Sequence, residues 1–237
     1  RDDLSDRARH INVRDTLTNL LEQRAIPVIN ENDTTATHEI RVGDNDNLSA
    51  LVASLVEADL LVMLTDQPGL FTADPRLNPD ALLIAEVAHI DDATFETAGG
   101  AGSTQGTGGM ATKLQAAQLA GRSGVTTVIT SGSLPNVLTR ILDGEAIGTR
   151  FTAQTTHMES RKRWLMMEKP RGVRHIDEGA AKKLLTAGAS LLPVGITKVA
   201  RDFHRGAVVA VVGPKGAAIA HGLTNYDSDD LRKIQGV

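Results

Sequence analysis

One repeated pattern constrains this chain more than any other. Short, almost wholly apolar runs end in polar residues and are separated by segments of helical spacing. Residues 25–30 (AIPVIN), 60–65 (LLVMLT) and 125–130 (VTTVIT) are such runs. Their length and lack of alternation predict strands buried on both faces, as in a parallel sheet. The intervening stretches predict helices: an N-terminal one marked by Ile11, Val13, Leu17, Leu20 and Leu21, then 48–58 and 110–122, the last ended by Gly124 in a left-handed conformation. A further helix is expected over 135–142, closed by Asp143 and Gly144. Strands alternating with helices imply an α/β fold, a mostly parallel sheet sandwiched by helices, with ligands bound at the C-terminal ends of the strands.

Those ends are where the polar residues gather. The first run leads into Asn30-Glu-Asn-Asp33, the second into Thr65-Asp66, the third into Thr130-Ser131. After the first cluster comes VGDNDN at 42–47, with Asn45 and Asp46. Asparagine both donates and accepts hydrogen bonds, and carboxylates pair with ammonium groups, so these clusters suit a zwitterionic amino acid. They also suit a turn followed by a helix cap, and residue chemistry alone leaves both open. The string GTGGMATK at 106–113 directly precedes a helix. Its glycines leave backbone N–H groups bare, the helix N-terminus adds positive potential, and Lys113 in the first turn can reach a phosphate. The lysine does not follow the G-x-x-x-x-G spacing of a P-loop.

Composition removes several classes. There is no cysteine, hence no disulfide, thiol nucleophile or thiolate metal site. No HExxH or close histidine pair suited to zinc occurs, no G-x-S-x-G elbow is present, and no metal ligands are assigned. No apolar run reaches membrane-spanning length. Charge is uneven: residues 171–237 carry ten Lys and Arg against six Asp and Glu, a net +4 against −8 for the remainder. Past Phe151 the chain turns polar, with a basic run at Arg161-Lys-Arg163. It then predicts a helix over 178–187 and a hairpin of strands 207–212 and 217–220 around Gly-Pro-Lys-Gly. These shifts place a boundary near Lys169.

Together the motifs resemble those of the glutamate 5-kinases, a branch of the amino acid kinase family. The resemblance is carried by VINEND at 28–33, VGDNDNLSAL at 42–51, MLTDQPGLFTADPR at 63–76 and GTGGMATKLQAA at 106–117. The strings SLLPVGI at 190–196, Phe203 to Gly206 and IAHGLTNYDS at 219–228 resemble its C-terminal PUA domain. The implied organisation is a kinase domain over 1–156, a linker over 157–172 and a PUA-like domain over 173–237. The implied activity is transfer of the ATP γ-phosphoryl group, with Mg²⁺, to the γ-carboxylate of L-glutamate. That is the first step of proline biosynthesis, in a cytoplasmic dimer or tetramer subject to feedback by proline.

Carried over by position, Asn30, Asp33 and Asn45 match glutamate-binding residues. Thr65 and Asp66, and then Thr107, Gly108, Gly109, Met110, Ala111, Thr112 and Lys113, match nucleotide-binding ones. The same resemblance implies Lys113 as the catalytic cation and Asp46 as the carboxylate that organises lysines. Kinases of acetylglutamate, aspartate and UMP share the fold and are the nearest alternatives. PUA domains often bind RNA, which the +4 segment permits, but an aromatic content of 3% provides no stacking surface, and a regulatory role is favoured. The resemblance also implies a strand with a second phosphate-contacting lysine ahead of Arg1. It implies another strand, carrying a substrate-contacting serine, and a tail beyond Gly236. The 237 residues alone are therefore expected to be inactive.

Overall fold

The computed structural model describes residues 7–30, 44–99 and 109–237. The chain divides into two compact units: residues 20–160, and residues 161–237 together with 1–19.

Within 20–160, helix α2 (Asp44–Leu55) leads by a short turn into strand β1 (Leu60–Thr65). Strand β2 (Glu86–Val87) and helix α3 (Asp92–Thr97) follow. Helix α4 (Met110–Arg122) leads by another short turn into β3 (Thr126–Ser131), followed by α5 (Val137–Leu142) and β4 (Thr149–Phe151). The sheet order is β1-β3-β4-β2, parallel between β1 and β3 and between β2 and β4, antiparallel between β3 and β4. The reading of a mostly parallel α/β sheet therefore holds.

A helix that enters its strand through a short turn must run antiparallel to it. Both α2 and α4 consequently bring their N-termini to the C-terminal ends of β1 and β3. They pack on each other through alanines, with Ala50 and Ala53 from one helix and Ala116, Ala117 and Ala120 from the other, all buried around Met63, Leu114 and Ile129. Side chains this small let the helices lie close to one another and to the sheet.

Several boundaries were legible. Leu60–Thr65 and Met110–Arg122 fall where periodicity put them, and Gly124 follows the cap of α4 at φ +89°. A Cβ there would lie 2.6 Å from the His157 backbone nitrogen, so only glycine fits. Helix α2 begins earlier than its apolar spacing suggested and takes Asn45 and Asp46 into its first turn.

The run at 25–30 is a correction: it forms no strand, and Ile26 and Val28 are 88% and 95% exposed. A parallel strand obtains its hydrogen bonds and its cover from neighbours. Among the described residues β1 has a partner on one side only, and no strand pairs with 25–30.

A second correction concerns the polar stretch after Phe151, which contains helix α6 (His157–Met167). None of its residues is buried, so it leaves no apolar period to find. Its start is fixed instead by a capping box: Thr156 N donates to Glu159 Oε2 (3.1 Å) and Glu159 N to Thr156 Oγ1 (3.2 Å).

In the other unit, strands β5 (Gly172–Ile176), β6 (Ile196–Ala200), β7 (Val208–Val212) and β8 (Ala218–Leu223) form a sheet ordered β6-β5-β7-β8. Strand β7 lies between β5 and β8 and is buried on both faces. Helices α7 (Glu178–Ala187) and α8 (Ser228–Ile234) complete the unit, with a core of Ile176, Ile196, Phe203, Val209, Val211 and Leu231. Helix α1 (Arg7–Glu22) belongs here through Asn19, and its Asp15 accepts a hydrogen bond from Arg205. Helix 178–187 and the hairpin lie where the sequence put them. Strands β5 and β6, short and flanked by charge, carried no signal.

Candidate active site

The first turns of α2 and α4 meet in a largely buried ion pair. Lys113 Nζ donates to Asp46 Oδ1 (2.9 Å) and Oδ2 (3.1 Å), and Thr112 Oγ1 donates to Oδ2 (2.7 Å). The side chains of Lys113 and Asp46 keep only 14% and 17% of their exposure. An aspartate suits the start of α2, where the helix dipole is positive. A lysine at the start of α4 opposes the dipole and is disfavoured by about 0.3–1 kcal/mol. No acidic residue in the first turn of α4 compensates, so Asp46 does so from the neighbouring helix.

Two helix N-termini at about half a positive charge each, one lysine and one aspartate leave about one net positive charge. An anion placed there is favoured. Gly109 caps α4 without a side-chain hydrogen bond, and a Cβ at that position would meet nothing within 4 Å. Packing does not require a glycine there. What its absent side chain leaves bare are the first N–H groups of α4, at Met110, Ala111 and Thr112, which a phosphate oxygen can accept.

Strand ends supply the other wall. Thr65 and Ser131 are in register at the ends of the parallel pair β1 and β3. Thr65 Oγ1 donates to the exposed Asp66 (3.0 Å), Gly132 N donates to Thr65 O (2.8 Å), and the hydroxyls of Ser131 and Ser133 lie 2.8 Å apart. The loop after Asp66 is anchored rather than loose. Leu70 N donates to Thr149 Oγ1 (2.8 Å), which donates in turn to Ile84 O (2.6 Å). Gly69, at φ +154°, makes that approach possible, because a Cβ would sit 2.6 Å from the same hydroxyl.

The structure thus joins Asp46, Thr112 and Lys113 directly, with Gly109, Met110 and Ala111 on the same helical turn. Thr65 and Asp66 lie at the same end of the sheet. Asn45 is exposed beside Asp46, and Asn30 ends the exposed 25–30 segment. Asp33, Thr107 and Gly108 lie outside the described residues. Sequence reasoning grouped Thr112 with the nucleotide contacts and missed its bond to Asp46. Their separation by 66 positions hides it.

Among the described residues no three metal-ligating side chains converge. Asp46 has both oxygens engaged by Lys113 and Thr112.

A carboxylate-locked lysine beside two helix N-termini, at the C-terminal edge of a parallel sheet, is a geometry that favours a bound anion such as a phosphate. The sequence profile described as the amino acid kinase family matches residues 1–131, more than half of the chain, and the chain belongs to that family. The PUA domain profile matches residues 172–237. Among curated relatives, the glutamate 5-kinase of Sodalis glossinidius is 56% identical across the chain, and that of Deinococcus radiodurans is 53% identical over 99% of it. The chain spans 64% and 65% of the length of these two relatives. Among solved structures, UMP kinase from Bacillus anthracis is 17% identical, with a TM-score of 0.44 over 60% of this chain and 52% of its own. A PUA domain from Aeropyrum pernix K1 is 35% identical, with a TM-score of 0.26 over 27% of this chain and 35% of its own. No helix among the described residues is long and apolar enough to cross a membrane.

Proposed function

We propose that the protein carrying this chain transfers the γ-phosphoryl group of ATP to the γ-carboxylate of L-glutamate, and so opens proline biosynthesis. The Asp46–Lys113 pair at the joined starts of α2 and α4 is the observation that carries this reading, and the glutamate 5-kinase relatives supply the acceptor. A glutamate carboxylate oxygen attacks the γ-phosphorus, the bond to the β,γ-bridging oxygen breaks, and its electron pair leaves with ADP. The carboxylate is already ionised at neutral pH, with an ordinary pKa of about 4.3, so no general base is required. Both reactants are anionic, and catalysis consists of holding them in line and neutralising charge.

Lys113 neutralises the transferring group, and the first N–H groups of α4 with Gly109 hold phosphate oxygens. Thr65 and Asp66 border the nucleotide. Asn30, Asp33 and Asn45 take the ammonium and carboxylate groups of glutamate. Residues 1–156 form the kinase domain, 157–172 the connection and 173–237 a regulatory PUA-like domain. A cytoplasmic, self-associating enzyme that responds to proline belongs to the same reading.

The test measures ADP release by the gene product with glutamate, acetylglutamate, aspartate or UMP as acceptor. Glutamate alone is expected to stimulate turnover. Stimulation by one of the other acceptors, with none by glutamate, would sink the assignment.

A further inference from the structure

We propose that the side chain of Thr112 serves the reaction by fixing Asp46 and not by binding the nucleotide, an assignment that rests on the kinase reading above. The first turn of α4 grips one carboxylate with two adjacent side chains of different character. Lys113 is long and rotatable, and its ammonium straddles both oxygens at 2.9 and 3.1 Å. Thr112 is short and β-branched, so its χ1 is stiff, and its hydroxyl lies 2.7 Å from Oδ2. A lysine that must swing toward a transferring phosphoryl group cannot also hold its counter-ion still. The threonine can, because its bond to Oδ2 does not depend on where Nζ goes.

The hydroxyl carries one hydrogen and has two acceptors in reach, Asp46 Oδ2 at 2.7 Å and Gly109 O at 2.9 Å. The charged acceptor makes the stronger bond. Phosphate oxygens also need that hydrogen, so while the Thr112 hydroxyl holds Asp46 it has nothing to donate to a nucleotide, and only the backbone N–H of Thr112 stays open to one. Thr112 is therefore a positioning residue acting through Asp46, and its neighbour does the chemistry.

The experiment is a mutant cycle in the gene product, with kcat and the KM for ATP measured for the unaltered protein, Thr112→Val, Thr112→Ser, Asp46→Asn and Asp46→Asn with Thr112→Val. Thr112→Val is expected to lower kcat about tenfold, the size of a lost hydrogen bond to a charge, while KM for ATP changes less than about twofold. Thr112→Ser restores most of the rate. In the Asp46→Asn background the valine adds a smaller further loss, about twofold, because the acceptor that remains is uncharged and its bond weaker. A KM for ATP raised about tenfold at constant kcat would make Thr112 a nucleotide contact and overturn the assignment. An undiminished loss in the Asp46→Asn background would overturn it too. If Thr112→Val does not fold, Thr112→Ala removes the same hydroxyl.

Failure of the kinase reading shows separately, as absence of glutamate-dependent ADP release in the unaltered protein. The unfolding midpoints of the same cycle then decide the contact itself. Coupled shifts support the clamp, and independent shifts reject it.

Discussion

Two largely buried cations in this chain are treated in opposite ways. Lys113, in the first unit, donates from its ammonium to both oxygens of one carboxylate. Arg174, in strand β5 of the second, keeps 6% of its exposure and among the described residues has no hydrogen-bond partner for Nε or Nη2. Its register partners on β6 and β7 are Val199 and Val211, and the centroid of the Phe203 ring lies 5.7 Å from the guanidinium carbon. Burial pushes the guanidinium down to about 10, so it stays charged at neutral pH. A paired cation at an open helix end is a tool that can exchange its partner for an anion. An unpaired one in a core is a standing cost of desolvation.

Four measurements break or sharpen that contrast. Replacing Lys113 with alanine is expected to lower phosphoryl transfer to glutamate by about a thousandfold, in line with loss of a group that stabilises transition-state charge. Steady-state ADP release checks this, and near-normal turnover would leave Lys113 without a catalytic role. Phe203→Ala is expected to destabilise the protein by about 3–5 kcal/mol, since it empties a buried aromatic site and removes the ring beside Arg174. Denaturant unfolding measures it, and a loss under about 1 kcal/mol would contradict the packing seen here.

Arg174→Met should have the opposite sign, neutral to stabilising by about 1–4 kcal/mol, because it removes a buried unpaired charge at similar volume. The pH dependence follows from the lowered pKa. Below about 10 both folded and unfolded states hold the proton, so the gain is flat across neutral pH. Above that the unfolded chain binds more protons than the native one. Native stability then rises with pH through this group, and the benefit of methionine shrinks. A marked loss of stability on Arg174→Met at neutral pH would mean that the guanidinium has a partner after all. The smallest effect belongs to Asp230→Ala. It breaks an exposed pair with Lys233, three positions along α8, and is expected to leave the unfolding midpoint unchanged within error.

The same division separates what was legible from what was not. Strand β1, helix α4 and Gly124 were readable because local rules act on consecutive residues: apolar run length, helical period, and a glycine where φ must be positive. Residues 25–30 have the same local signature as β1, yet among the described residues only β1 finds a partner strand. In the second unit β5 carries an arginine at a core position, and this broke the pattern that would have marked it as a strand. Helix α6 has no buried face, and only its Thr156–Glu159 box betrays it.

By itself the sequence determined a mostly parallel α/β unit followed by a more basic β-rich one, polar clusters at strand ends, and a glycine-rich helix start bearing Lys113. All of these follow from residue order within a few turns or strands of chain. Only the tertiary structure decided that Asp46 lies against both Lys113 and Thr112, and that Nε and Nη2 of Arg174 find no hydrogen-bond partner among the described residues. Each depends on which elements pack together, and a hydrogen bond spanning 66 positions leaves no local trace.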